Sequence, residues 1–159
     1  MRGFSFLADE ELYTVDVTLV RQVVRNITFT PLSGVADEIA GIANINGGIV
    51  TILNLAELLG LKRGSRAVHA VIFKPFTDGN DQMGLLIDEP GDLIDINENE
   101  ILPPPLTAGE WKKSCISGMI DVDGRLYRII DIDSIIKRFI EGAANTTDII
   151  LPGGVYNEE

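Results

Sequence analysis

GIANINGGIVTILNL, residues 41–55, and GMIDVDGRLYRIIDI, residues 118–132, are two versions of one pattern. In each, a Gly opens the segment, Asn or Asp followed by Gly comes five and six positions later, and a further Asn or Asp sits seven beyond that Gly. Gly41, Asn46, Gly47 and Asn54 thus answer to Gly118, Asp123, Gly124 and Asp131. Asn-Gly and Asp-Gly are the pairs that a two-residue type I′ turn selects, because both central residues need φ > 0. Each copy is therefore expected to be a β-hairpin. A cation loop is the other way to read Asp121, Asp123, Asp131 and Asp133, but an EF-hand needs Gly at its sixth position and a closing Glu at its twelfth. Here Gly124 would come fourth.

Downstream of each hairpin the periodicity changes. Asn54 followed by Glu57 resembles a capping box, with Leu55, Leu58 and Leu59 as the apolar stripe and Gly60 as the stop. The second copy repeats this with Asp131 or Asp133 as cap, Ile135, Ile136, Phe139 and Ile140 as stripe, Lys137 and Arg138 toward the negative end, and Gly142 as stop. Residues 49–55 carry aliphatics on both faces, which predicts a strand covered on both sides.

Upstream, residues 4–7 and 12–17 alternate apolar and polar positions around Asp9-Glu10-Glu11, the pattern of a first hairpin. Residues 20–24 form a further apolar run, and Pro31, Ser33 and Gly34 mark a loop. Between the two copies the same order returns. Residues 67–73 and 83–87 read as strands around a turn at 77–81, Leu93-Ile94 after Asp92 echoes Val23-Val24 after Gln22, and the proline loop 102–105 stands where Thr30-Pro31-Leu32 stood. The expectation is an all-β, internally duplicated chain of two homologous lobes, centred on residues 18–68 and 69–141, with the first strands open to exchange between them. Short strands in lobes of this size suit small five-stranded barrels. Residues 143–159 read as a flexible tail whose Ile149, Ile150 and Leu151 either dock on a neighbouring chain or fold back.

A chain of 159 residues is of single-domain size and can bury roughly 70% of its unfolded surface. Its apolar runs fall short of the ~20 residues of a membrane helix, and its opening lacks the ~7 to 15 apolar residues of a signal-peptide core. A soluble, cytoplasmic protein is expected. A net charge of −11 opposes binding to nucleic acid and anionic lipid, which are held by Lys and Arg on phosphate. Another protein is the expected partner.

Catalytic chemistry has little to work with. His69 is the only histidine, set in the strand-like run AVHAVIF, where it is a poor base for Ser65, Ser114 or Cys115. Cys115 is the only cysteine, which rules out an internal disulfide and the CxxC spacing of redox or zinc sites. No phosphate- or dinucleotide-binding glycine motif occurs. Acidic clusters such as residues 95–100 read as solvated faces, and Trp111 as an interface anchor or a lobe cap. No catalytic residue, cofactor or metal site is expected.

The order of these segments resembles the CheW family, the adaptor proteins of bacterial chemotaxis arrays, from about Gly3 to Phe139. ELYTVDV followed by VRQVV looks like the family's opening hairpin and third strand, and Thr30-Pro31 like its proline loop. GIANINGGIVTILNL resembles the signature hairpin G-V-x-N-L-R-G-x-x-x-P-V-x-D-L. MGLLIDEPGDLIDI and GMIDVDGRLYRIIDIDSII are similar to the corresponding stretches of the second lobe. The resemblance implies two intertwined SH3-like five-stranded barrels with short helices and a core between them, residues 1–142 forming one domain. It also implies no enzymatic activity. The implied role is to couple the cytoplasmic tips of chemoreceptors, held in a groove between the lobes, to the regulatory domain of the histidine kinase CheA, held at the apolar end of one barrel. A cytoplasmic chain recruited to membrane receptor arrays, without inserting into the bilayer, would do this.

Four positions depart from the family pattern. Gln22 replaces the usual Glu of the third strand, Asn46 the usual Arg before Gly, Thr51 a common Pro, and Asn54 the usual Asp. None touches the apolar pattern, so the fold is expected to survive. The partners are what they bear on, and a diverged CheW-like scaffold of another bacterial signalling complex is the alternative reading. The candidate protein-binding residues are Val20, Gln22 and Val24 on the third strand and Asn46 and Ile49 in the signature hairpin.

Overall fold

The computed structural model describes residues 1–60, 67–76, 81–104 and 115–141. The predicted hairpin is formed by β4 (Ile39–Ile45) and β5 (Gly48–Asn54). Its twin is formed by β9 (Ile116–Val122) and β10 (Arg125–Ile130). Asn46 and Gly47 have φ of 52° and 83°, Asp123 and Gly124 φ of 53° and 83°, as a type I′ turn demands. The likeness extends to irregularities. Each hairpin slips register once, between Ile39 and Gly41 and between Ile129 and Ile130, so that Gly41 faces Ile52 as Gly118 faces Ile129.

The opening glycines have a shared steric reason. Thr30 exchanges both backbone hydrogen bonds with Ile42 (2.8 and 2.9 Å), and Leu102 does so with Met119 (2.7 and 2.9 Å). These contacts bring the proline loop onto the hairpin beside the glycine. A Cβ on Gly41 would collide with the Thr30 carbonyl, and one on Gly118 would sit 2.7 Å from the Leu102 carbonyl oxygen.

The other strands are β1 (Arg2–Ala8), β2 (Glu11–Asp16), β3 (Val20–Val24), β6 (His69–Phe73), β7 (Gln82–Ile87) and β8 (Glu89–Asp95). One sheet has the order β3-β6-β7-β5-β4 and the other β8-β1-β2-β10-β9. Under the exchange of β1, β2 with β6, β7 these are the same sheet. Each contains one parallel pair, β5 with β7 and β2 with β10, flanked by antiparallel pairs. The first-strand exchange thus takes a definite form: β6 and β7 complete the sheet of the first hairpin copy, while β1 and β2 complete that of the second.

Each sheet encloses its own core. Val24, Ala43, Val50, Ile52, Ala70, Ile72 and Leu86 come from all five strands of the first sheet and pack together, which requires that sheet to curl into a barrel. Leu12, Ile94, Ile96, Ile120, Tyr127 and Ile129 fill the second. The largest cluster lies between the two, where Phe6, Tyr13 and Val15 of β1 and β2 meet Leu53, Val71, Phe73 and Leu85 of the first barrel.

Two short helices close that central core. Helix α1 (Leu55–Leu59) starts at Asn54, whose side chain accepts from the Ala56 and Glu57 amides, and ends at Gly60 in the left-handed region. Helix α2 (Ile132–Ile136) starts at Asp131, which accepts from the Ser134 amide, so Asp131 rather than Asp133 is the cap. Leu58 and Ile135 are fully buried against the central cluster. Truncating either to Ala would cost about 2 to 5 kcal/mol. Residues 137–141 continue as a wider helical turn, in which Arg138 reaches Glu38 (3.9 Å) and lies over the Phe139 ring.

Some expectations move by a residue or two. The strand expected over 67–73 begins at His69, and Val17 leaves β2 for a single tight turn capped by Asp16. The β1–β2 turn is made by Asp9 and Glu10, both at positive φ without a glycine, with the Asp9 amide donating to Asp88 Oδ2 (2.8 Å). Trp111, Gly142 and the tail 143–159 with Ile149–Leu151 lie outside the described residues.

Candidate functional site: a protein-docking surface

Barrel closure brings together residues that are far apart in sequence. The edge strand β3 curls toward the β4–β5 turn, and there Asn46 Nδ2 donates to Gln22 Oε1 (3.3 Å) at the protein surface. Next to this pair Arg21 donates to Gln82 Oε1 of β7 (2.9 Å). On the hairpin, Ile42 pairs with Thr51 and Asn44 with Ile49. These four side chains face away from the barrel core, because their neighbours Ala43, Val50 and Ile52 are buried in it. Asn44 Oδ1 accepts from the Gly47 amide (3.1 Å) and so fixes the turn.

Of the five candidate residues, Gln22 and Asn46 touch, and Ile49 presents an apolar side chain that is 40% exposed. Ile49 is the exception in a strand otherwise covered on both faces. Val20 and Val24 are half-buried, Val20 against the central core and Val24 against the first barrel's core. Sequence reasoning did not single out Asn44, although its signal was present: the N-x-N-G of the first hairpin returns as D-x-D-G, with Asp121 accepting from the Gly124 amide (3.0 Å). It also missed Leu126, the twin of Ile49, which is 41% exposed.

The groups considered for chemistry are otherwise engaged. His69 is only 7% exposed, and its Nδ1 accepts from the Asn26 backbone amide (3.0 Å), which occupies the nitrogen a base would use. Ser65 and Ser114 lie outside the described residues. Cys115 is buried at 1% exposure, and burial, opposed by Arg138 and aided by Asp131, pushes its thiol up to about 11. It is a protonated thiol at neutral pH, hence a weak nucleophile. Burial likewise raises the Tyr13 hydroxyl to about 12, with Glu11 adding to the effect and Arg128 opposing it. Arg128 sits over the Tyr13 ring and pairs with Glu11 at 2.9 Å, a structural arrangement at the edge of the central core. Among the described residues no three His, Cys, Asp or Glu side chains are placed to hold a metal ion, and no helix is long and apolar enough to cross a membrane.

Known proteins share this arrangement, and one of them is named a scaffolding protein. Residues 2–139 match the family described as CheW-like domain. The chemotaxis protein CheW of Thermotoga maritima is 29% identical over 133 residues, covering 84% of this chain and 85% of the relative. Those of Rhizobium meliloti and Bacillus subtilis are each 24% identical, over 82% and 84% of this chain and 84% and 85% of the relatives. The crystal structure of scaffolding protein TtCheW from Thermoanaerobacter tengcongensis superposes with a TM-score of 0.71 at 26% identity, covering 82% of this chain and 84% of that one.

Proposed function

This chain belongs to the CheW-like domain family and is a non-catalytic chemotaxis scaffold, and on that premise we propose that it holds a chemoreceptor tip and the regulatory domain of the histidine kinase CheA in one complex. The observation that carries this reading is the extent of the family match, which runs through both barrels and both exchanged hairpins. A protein with two lobes and a shared core can present two separate surfaces at fixed geometry, which is what coupling requires. We assign kinase docking to the first barrel's Gln22, Asn46 and Ile49, with Val20 and Val24, and treat residues 1–142 as the unit that carries the function. Recruitment to the membrane then follows from the receptor.

Calorimetric titration with a soluble receptor-tip fragment and with the kinase regulatory domain tests the proposal. Saturable binding of each, undiminished by the other, is expected; failure to bind either refutes it.

A second reading is favoured by one observation, the Gln22–Asn46 amide pair. It stands where the family's usual Glu and Arg would stand, and a scaffold retuned for another signalling complex could exchange both charges together without leaving one unmatched. On this reading Gln22→Glu with Asn46→Arg weakens the native complex about tenfold, roughly 1.4 kcal/mol, and each single change is worse than the double. Equal affinities for all the variants would return both residues to neutral change.

A further inference from the structure

The turn of the first hairpin carries a reactive pair of residues. Asn46-Gly47 is the only Asn-Gly in the chain, and every other asparagine is followed by a residue with a side chain. An asparagine amide is open to attack by the backbone nitrogen of the next residue, and glycine hinders that attack least because it has no Cβ. Access is unobstructed here. Asn46 and Gly47 are exposed and at positive φ, and a Cβ built on Gly47 would meet nothing within 4 Å.

Two side chains hold the atoms that would react. The Gly47 N–H donates to Asn44 Oδ1 at 3.1 Å, and Asn46 Nδ2 donates to Gln22 Oε1 at 3.3 Å. In the reaction the first nitrogen must give up its proton and the second must leave, so both hydrogen bonds have to be released. Both are at the protein surface, where local opening costs least. We propose that Asn46 is a site of spontaneous deamidation, restrained by Asn44 and Gln22.

The Gly47 backbone nitrogen loses its proton to hydroxide and attacks Asn46 Cγ. The Cγ–Nδ2 bond breaks, and Nδ2 takes up a proton from water and departs as ammonia, which leaves a five-membered succinimide. Water then opens the ring at either carbonyl, giving aspartate or isoaspartate at position 46. One water is consumed, one ammonia is released, and nothing is oxidised or reduced. The aspartate product fits the turn, since the twin turn Asp123-Gly124 has φ of 53° and 83° and its Asp121 accepts from the Gly124 amide at 3.0 Å. The isoaspartate product does not. Its main chain runs through the side-chain carbons and gains a methylene, which displaces Gly48 from its place opposite Ile45. Either product is a carboxylate, an acceptor only, so Gln22 Oε1 loses its donor. The chemistry is independent of which partner the surface takes.

The test incubates the full chain at mildly alkaline pH beside an unfolded peptide of residues 42–51. Peptide mass mapping and isoaspartyl methyltransferase labelling follow conversion at position 46. Wild type should convert at position 46, at least threefold more slowly than the peptide. Asn44→Ala and Gln22→Ala should each convert at least threefold faster than wild type. Asn46→Gly should show no conversion there, while its Gly-Gly pair still suits a type I′ turn. Gly118→Ala strains the second hairpin but leaves both restraining bonds, so it should convert at the wild-type rate, which separates release of the turn from general instability. Absence of wild-type conversion after the peptide has fully reacted would overturn the proposal. So would a rate in either alanine variant within threefold of wild type, or an equal acceleration by Gly118→Ala.

Discussion

Replacing Gly41 by Ala probes why each hairpin opens on glycine. The new methyl would meet the Thr30 carbonyl, with its carbon at 2.8 Å and Phe29 Cδ1 at 2.9 Å, and two of these three obstructions are backbone. Relief requires the proline loop to move off β4, which breaks the two hydrogen bonds between Thr30 and Ile42. Each is worth about 0.5 to 1.5 kcal/mol net, roughly 1 to 3 kcal/mol together. Removing a glycine from the unfolded chain returns about 0.4 to 1 kcal/mol. The net expectation is a loss centred on about 1.3 kcal/mol and at most about 2.6 kcal/mol, or roughly 3 to 5 °C in melting temperature at the centre for a domain of this size. Gly118→Ala should behave alike, since it approaches Leu102 and Ile101 in the same way. Urea denaturation followed by tryptophan-independent far-UV circular dichroism gives both free energies at constant m-value. If Gly41→Ala is as stable as wild type, close approach of the loop is not what selects glycine.

Three further outcomes are expected. Gly47→Val and Gly124→Val should each cost about 1 to 3 kcal/mol in equilibrium unfolding although nothing lies within 4 Å of either site, because a β-branched residue is strained at φ of 83°; a negligible cost at both would remove the type I′ assignment. Glu10→Gly should stabilise the protein by up to about 1 kcal/mol in the same assay, since Glu10 sits at φ of 66° without being a glycine, and a destabilised variant would contradict this. Stability should decline on raising the pH from about 9 toward 11 to 12, because Cys115 and Tyr13 ionise later folded than unfolded. Their contribution is fully present below the unfolded values and lost through the folded ones. Cys115→Ala should show a shallower decline from pH 9 to 11, measured by denaturant midpoint; an identical decline would exclude the thiol.

Much of this architecture is legible in the residues because its signals are local. Asn-Gly and Asp-Gly name their turn type, Asn54 and Asp131 announce helix starts, and a spacing of 77 residues between Gly41 and Gly118 exposes the duplication. What the residues do not carry is pairing across distance. β1 joins β8 some ninety residues away, and nothing in an alternating strand says which edge it will meet. The exchanged β1–β2 hairpin carries Phe6 and Tyr13, ring centroids 5.9 Å apart, into the central core beside Val71, Phe73 and Leu85 of β6 and β7, and that packing between distant segments has no local signal. The Asp9-Glu10 turn was readable only as an acidic break, since its left-handed conformation lacks the glycine that would advertise it. For the candidate docking surface, the family departures at Gln22 and Asn46 point to one shared exposed surface, though not to their hydrogen bond. Their contact depends on the curl of the sheet, and the service His69 gives to the Asn26 amide depends on the same closure.

The central claim is coupling, and it is tested most directly by kinase autophosphorylation in a reconstituted mixture of receptor-tip fragments, CheA and this chain. Activity under receptor control should appear only when the chain is added, rise with its concentration to a stoichiometric plateau, and disappear with a variant unable to bind the kinase. Receptor control of the kinase that is the same with and without the chain would contradict the account.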